Sequence, residues 1–203
     1  LARDGVDLFG HSVRDKPVDA ELIALMKEKN IAYIPTLQLD EAFFVYADKP
    51  DWMQAPFFKD ALDPGVGEWL ASPAYKVKEI SKKDLANAKA NVLALHKAGI
   101  KVGMGTDSGA TIPRIQGFAE HRELELLTHA GFTPMQALQA ATSGNAAILG
   151  IDKERGTLAA GKQADILVLD ANPLDDIRNS RKINAVWLRG IQVANPVAGA
   201  GAR

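Results

Sequence analysis

Residues 5 to 37 read GVDLFGHSVRDKPVDAELIALMKEKNIAYIPTL, and this stretch decides the fold. Its opening run, Gly5 to His11, is short, apolar and bounded by turn residues, the pattern of a buried strand ending at His11. Pro17 follows, then Asp19 as an N-cap, with Leu22, Ile23 and Met26 at helical spacing up to Lys29. Ile31 to Leu37 is a second apolar run, in which Pro35 must sit at the strand's end because it cannot donate to a ladder. Strand, helix and strand in this order make the two strands parallel, since parallel neighbours need a crossover and a helix supplies it.

The same unit recurs further along. The second strand's helix arrives late, at about Val77 to Ala98, with Leu85, Ala88, Val92 and Leu95 on one face and Gly99 as its stop. Residues 100 to 107, IKVGMGTD, give a third strand, followed by a helix near Glu120 to Ala130 that Gly131 closes. Thr133-Pro134-Met135-Gln136 is a capping box with proline at the first helical position, so a further helix runs to about Ala147 and Gly150 ends it. Three such units imply an α/β protein, either an open doubly wound sheet or part of a barrel. After Gly150 the texture changes: ADILVLD (164 to 170), AVWLRG (185 to 190) and IQVAN (191 to 195) read as strands, with a tight hairpin at Arg189-Gly190. The chain therefore divides into residues 1 to 150 and a small β element at 151 to 203, whose tail from Pro196 to Arg203 is Gly and Ala rich and reads as frayed.

Composition narrows the function classes. A chain of 203 residues with 47% hydrophobic and 24% charged content is an ordinary globular protein able to bury a core. The 24 basic and 25 acidic residues are interspersed, leaving a formal charge of -1, so neither nucleic acid nor a membrane is expected as a partner. With no cysteine there is no disulfide framework, thiolate site or Cys nucleophile, and any metal must use His or carboxylate. No run suits a bilayer span and no signal-like segment opens the chain, so a cytoplasmic protein is the default expectation. The chain starts at Leu1 and enters a strand almost at once, as a chain beginning in the middle of a fold would.

In a barrel of parallel strands, functional groups gather where strands end and the following loops begin. His11 and Asp107 both occupy that position. Imidazole and carboxylate suit a divalent cation such as Zn²⁺, and a carboxylate beside it can move a proton. The competing readings are a hydrogen-bonded structural histidine and an Asp-Ser turn in GTDSG. His96 and His129 read as structural, the first in a helix beside Leu95 and the second near a helix C-terminus.

A resemblance sharpens this. GHSVRDKPVDAELIALMKEKNIAYIPTL, KVGMGTDSG, ELELLTHAGFTPMQALQAATSGNAAILG and GTLAAGKQADILVLDANPLDDI resemble, in order, the closing half of the amidohydrolase superfamily, above all its imidazolonepropionase-like and Xaa-Pro dipeptidase-like members. The resemblance implies the C-terminal portion of a (β/α)₈ TIM-type barrel, strands 6 to 8, plus part of a small β-sandwich. It implies hydrolysis of an amide, cyclic amide or dipeptide C–N bond by water activated on one or two divalent metals, zinc being expected. His11 resembles the histidine ending the sixth barrel strand, a metal ligand or substrate-polarising group. Asp107 resembles the carboxylate ending the eighth, which contacts the metal and takes a proton from the attacking water. His121 falls where members often keep a polar residue near substrate.

The departures shape the expectation of activity. Family members carry a His-x-His pair ending the first strand, a lysine or carboxylated lysine on the fourth and a histidine on the fifth; this chain contains no His-x-His. It is expected to be inactive alone, its partners being a small-molecule substrate and either the missing N-terminal half of the barrel or a second copy. The alternative is a non-catalytic binding or assembly module that pairs through open strand edges. Between Gln38 and Val77 an insertion holds eight of the thirteen aromatics, read either as a lid over a substrate pocket or as a cluster shielding helix surface.

Overall fold

The computed structural model describes residues 1 to 194, so Asn195 of the last expected strand and the Pro196 to Arg203 tail lie outside the described residues. Strand β1 (Leu8–Phe9) leads to helix α1 (Ala20–Glu28), whose N-cap Asp19 accepts the Leu22 amide at 2.8 Å. Asn30 turns the chain in a left-handed conformation into β2 (Ala32–Tyr33). The two strands are parallel, Leu8 opposite Ala32 and Phe9 opposite Tyr33. Tyr33 then bridges Val102 in parallel, its amide donating to the Lys101 carbonyl and its carbonyl accepting from Gly103, both at 2.9 Å. The three expected strands thus lie side by side in sequence order.

They are shorter than the sequence suggests, and the first is half-buried rather than buried. Among the described residues β1 and the 101–103 segment each have one strand neighbour, so each ladder is one-sided. The second run ends as Pro35 required: β2 stops at Tyr33, and Pro35 and the left-handed Thr36 (φ 51°) follow it. Helix α2 (Leu37–Glu41) starts directly after them.

The insertion is more helical than its sequence advertises: α3 (Pro56–Asp60) and α4 (Val66–Ala71) follow two 3₁₀ turns before the long α5 (Ile80–Lys97). Seven of its eight aromatics join a second hydrophobic cluster around Tyr46, Phe58 and Tyr75, which packs on Ile115 and Phe118. Trp52 and Phe58 both lie 4.8 Å, centroid to centroid, from the Phe118 ring. Burying large rings in many small turns leaves no long 3.6-residue repeat to read.

Helix α6 (Phe118–Ala130) ends at Gly131, whose φ of 113° few side chains tolerate. The main core forms where α1, α5 and α6 cover the strands, with Met26, Tyr33, Val92, Leu95, Val102 and Leu127 inside. Thr133 and Gln136 make the expected reciprocal cap at the start of α7 (Pro134–Gln139). The single helix expected to Ala147 is broken by a π-helical turn at Ala140–Gly144 before α8 (Asn145–Ile148). The break coincides with Asn145 turning its amide onto the backbone of Met104: Oδ1 accepts its N–H at 3.0 Å and Nδ2 donates to its carbonyl at 2.7 Å.

Beyond residue 150, β3 (Ile166–Leu169), β4 (Ile183–Leu188) and β5 (Ile191–Gln192) form an antiparallel sheet in the order β3-β4-β5. Arg189 (φ 53°) and Gly190 (φ 79°) make its two-residue hairpin, the geometry that matches strand twist. Leu167, Trp187, Leu188 and Ile191 stand exposed on this sheet.

Candidate active site

His11 leaves β1, Thr36 leaves β2 and Asp107 leaves the 101–103 segment, all from the C-terminal end of one parallel array. Thr36 is the link between the outer two. Its hydroxyl lies 3.0 Å from His11 Nδ1, and a Cβ added at Gly105 would lie 3.9 Å from its methyl group. That same Cβ would meet Ile34 at 2.8 Å, so glycine at 105 lets the segment leading to Asp107 close onto the end of β2.

The loop after His11 is held from two sides. Asp40 of α2 accepts a hydrogen bond from the Ser12 hydroxyl at 2.6 Å and pairs with Arg14. Burial pushes the Asp40 carboxyl above its ordinary range, while Ser12 and Arg14 pull the other way. From α5, Asn91 donates to the carbonyls of Val13 and Lys16 and accepts the Val18 amide, and Asn87 donates to the Arg14 carbonyl. His11 therefore projects from a backbone fixed on both flanks.

Asp107 adopts φ 55°, a left-handed conformation that aspartate tolerates better than most residues. Its carboxylate is paired with Arg114, a guanidinium only 8% exposed that also donates to the Thr111 hydroxyl at 2.9 Å. The turn between them is closed by the Gly109 amide on the Arg114 carbonyl. Beside it, Glu120 gathers the hydroxyls of Thr106 (3.0 Å) and Ser108 (2.6 Å) on one oxygen and the Gly117 amide (2.8 Å) on the other. This carboxylate fixes both neighbours of Asp107 to the first turn of α6.

His121 lies one residue further on and faces elsewhere. Its Nδ1 is 2.9 Å from the Ser180 hydroxyl and its ring meets Phe57 edge-on at 5.0 Å. Burial, helped by the charge of Arg181, lowers its pKa to about 4, so it is neutral at physiological pH. His96 stacks on Phe132 at 4.3 Å, and burial lowers the pKa of His129, opposing the favourable charge that its helix C-terminus suggested.

The most buried acids escaped sequence reasoning. Glu123, fully buried, accepts the amides of Leu37 at 2.8 Å and Gln38 at 2.6 Å, and burial pushes its carboxyl up to about 8 against those two bonds. Arg122 binds both oxygens of Glu41, at 2.8 and 2.6 Å, and Glu125 at 2.5 Å, while Arg181 pairs with the other Glu125 oxygen. Their only sequence signal is the alternation of acids with leucines in HRELELL, which places some carboxylates on a helix's inner side. Arg114 and Thr36 carried no signal at all.

An imidazole and a carboxylate on one rim are donors of the type a divalent cation takes. They are also too few: among the described residues no three His, Asp or Glu side chains form a group able to hold a metal ion. The donor set fits part of a metal site.

Comparison with known proteins agrees with this partial architecture. Residues 52–193 match the model of the amidohydrolase family. The chain is similar to an ochratoxinase from Aspergillus niger, 30% identical over 191 residues, covering 89% of this chain and 33% of the relative. It is also similar to a 5-methylthioadenosine/S-adenosylhomocysteine deaminase from Bacillus cereus, 41% identical over 96 residues, or 44% of this chain and 22% of that protein. Among solved structures, a candidate prolidase from Bifidobacterium longum superposes with a TM-score of 0.72 at 34% identity, covering 96% of this chain and 44% of the other. The ochratoxinase structure gives a TM-score of 0.67 at 24% identity and covers the whole of this chain but 41% of its own, a likeness of fold. The chain thus spans about one third of the curated relative and under half of these structures.

Proposed function

Since this chain belongs to the amidohydrolase family, its strands forming the C-terminal portion of that family's barrel, we propose that it is part of a metal-dependent hydrolase cleaving a C–N bond. The bond would be an amide, a cyclic amide or a dipeptide link. The observation that carries this reading is the exit of His11 and Asp107 from the same end of one parallel array, with Thr36 between. A divalent cation, zinc for preference, would supply Lewis acidity and a water ionisable near neutral pH. His11, through Nε2, and Asp107 would contribute to holding it.

The chain's own chemistry centres on Asp107. Its carboxylate takes the proton of the attacking water and passes it to the leaving nitrogen, so the amine departs neutral while the acyl product keeps the water's oxygen. Arg114 holds Oδ2 and fixes the direction of that transfer. His121 turns to Ser180 and Phe57 rather than to the rim, so the substrate-pocket role that the resemblance suggested draws no support from its contacts. The partners are a small-molecule substrate and the rest of the barrel, without which the chain is inactive.

The test is hydrolysis by the complete zinc-loaded protein on a panel of dipeptides, N-acyl amino acids and cyclic amides. Asp107→Asn should lower kcat by about 10²- to 10⁴-fold, the usual span for a general base. Undiminished rates in both Asp107→Asn and His11→Ala would overturn the reading. The exposed apolar side chains of β3 to β5 favour a second reading, an assembly module, which predicts a dimer in dilute solution where a monomer would refute it. Among the described residues no helix is long and apolar enough to cross a membrane.

A further inference from the structure

We infer that Glu123 and Thr36 are positioning residues for His11, holding its ring so that Nδ1 carries the proton and Nε2 presents a lone pair to the rim. The inference rests on the reading that His11 works at this site.

The argument begins with an expensive placement. Glu123 is fully buried on α6, where a carboxylate is disfavoured unless every oxygen is used. Both oxygens are used, one on the Leu37 amide and one on the Gln38 amide. These are the first residues of α2, which lacks a side-chain cap of its own, so Glu123 closes that end from another helix. The residue immediately before is Thr36, held at φ 51° and ψ 52°. A β-branched residue in this region is a genuine outlier that persists only where surrounding contacts impose it. The grip on residues 37 and 38 imposes it.

What that conformation achieves is specific. It brings Thr36 Oγ1, itself buried, within 3.0 Å of His11 Nδ1. One helical turn later α2 presents Asp40 to Ser12 and Arg14, so the same helix sets both the ring of His11 and the loop behind it. With that loop also tied to Asn87 and Asn91, the ring's remaining freedom is its tautomer and tilt; the Thr36 hydroxyl fixes the tilt and, with Nε2 given to the rim, accepts the hydrogen bond of the proton that Nδ1 then carries. A histidine whose Nδ1–H is donated to an oxygen is committed to using Nε2.

The tautomer can be read directly in this chain by long-range ¹H–¹⁵N correlation spectroscopy at a pH where the ring is neutral. His11 should give the Nδ1–H pattern in the parent chain and in Thr36→Ser, which keeps the hydroxyl. Thr36→Val, close in shape but without it, should give a mixture of tautomers, and Glu123→Gln should move the His11 signals the same way while those of His96 stay put. Should Glu123→Gln fail to fold, the Thr36 pair alone decides. An unchanged His11 tautomer in Thr36→Val overturns the inference. In the complete protein, Thr36→Val should weaken Zn²⁺ binding by about 10- to 100-fold, the usual effect of losing such a partner, and Thr36→Ser should restore it. A tautomer that responds as expected while His11→Ala and Asp107→Asn leave hydrolysis intact would refute the proposed function and spare the positioning. A tautomer that ignores Thr36 while hydrolysis needs His11 would do the reverse.

Discussion

A methyl group at position 103 should destabilise the chain mainly by evicting the side chain of Asn145. The Gly103 Cβ would collide with Asn145 Oδ1 and lie 2.9 Å from Ile148 Cδ1 and 3.1 Å from Ile34 Cγ1. Among the described residues Asn145 satisfies the Met104 N–H and carbonyl through two bonds, so Asn145→Ala should cost about 2–3 kcal/mol, two lost hydrogen bonds with their backbone partners stranded. Gly103→Ala should lose the same bonds and add overpacking against the two isoleucines, about 3–5 kcal/mol together. In the double variant the clash with Oδ1 is gone and the new methyl occupies vacated space. Its total should fall near 3 kcal/mol, leaving the pair about 2–5 kcal/mol short of additivity. Urea unfolding of the four proteins by circular dichroism measures this coupling. Additivity within about 0.5 kcal/mol would refute the claim that residues 103 and 145 share one space.

Further outcomes follow from the same contacts. His121, at about 4 in the fold against 6.5 unfolded, binds fewer protons in the native state. Its contribution is whole above pH 6.5 and falls away by about 3 kcal/mol as pH drops to 4. His121→Gln should flatten that acid limb, and an identical slope in both proteins would contradict the burial argument. Arg122→Leu strands Glu41 in the interior, leaves Glu125 with Arg181 alone, and should cost about 3–5 kcal/mol in urea unfolding; a loss under 1 kcal/mol would count against a buried network. In the complete enzyme, replacing Phe43 and Phe44 with alanine should raise KM if the insertion lies over substrate. An unchanged KM would end the lid role and leave shielding by the aromatic cluster.

What could be read from sequence was what local chemistry writes. Asp19 capping α1, the Thr133–Gln136 box, Gly131 after α6 and the Arg189-Gly190 hairpin each satisfy backbone groups within a few residues, so their signals are intact in a short window. His11 and Asp107 were legible for the same reason, as polar residues at the ends of apolar runs. The short helices of the insertion were not, because ring-on-ring burial with Phe118 holds them and no periodicity records it. Nor was the π turn before Asn145, which coincides with bonds to a backbone 41 residues earlier. Thr36, Arg114 and Glu123 matter through tertiary placement alone, and spacing carries no trace of it.

The ionic cluster of Glu41, Arg122, Glu125 and Arg181 draws its members from α2, from α6 and from the 3₁₀ turn at Ile177–Arg181 that feeds β4. Such a seam cannot serve as a hinge, because swinging the small sheet outward would strip Arg181 from Glu125 and break a largely buried ion pair, leaving Glu125 to Arg122 alone. The sheet is riveted to the barrel segment rather than tethered by a loop, so the two should melt in one transition, and a protein severed after Gly150 should lose cohesion on both sides of the cut.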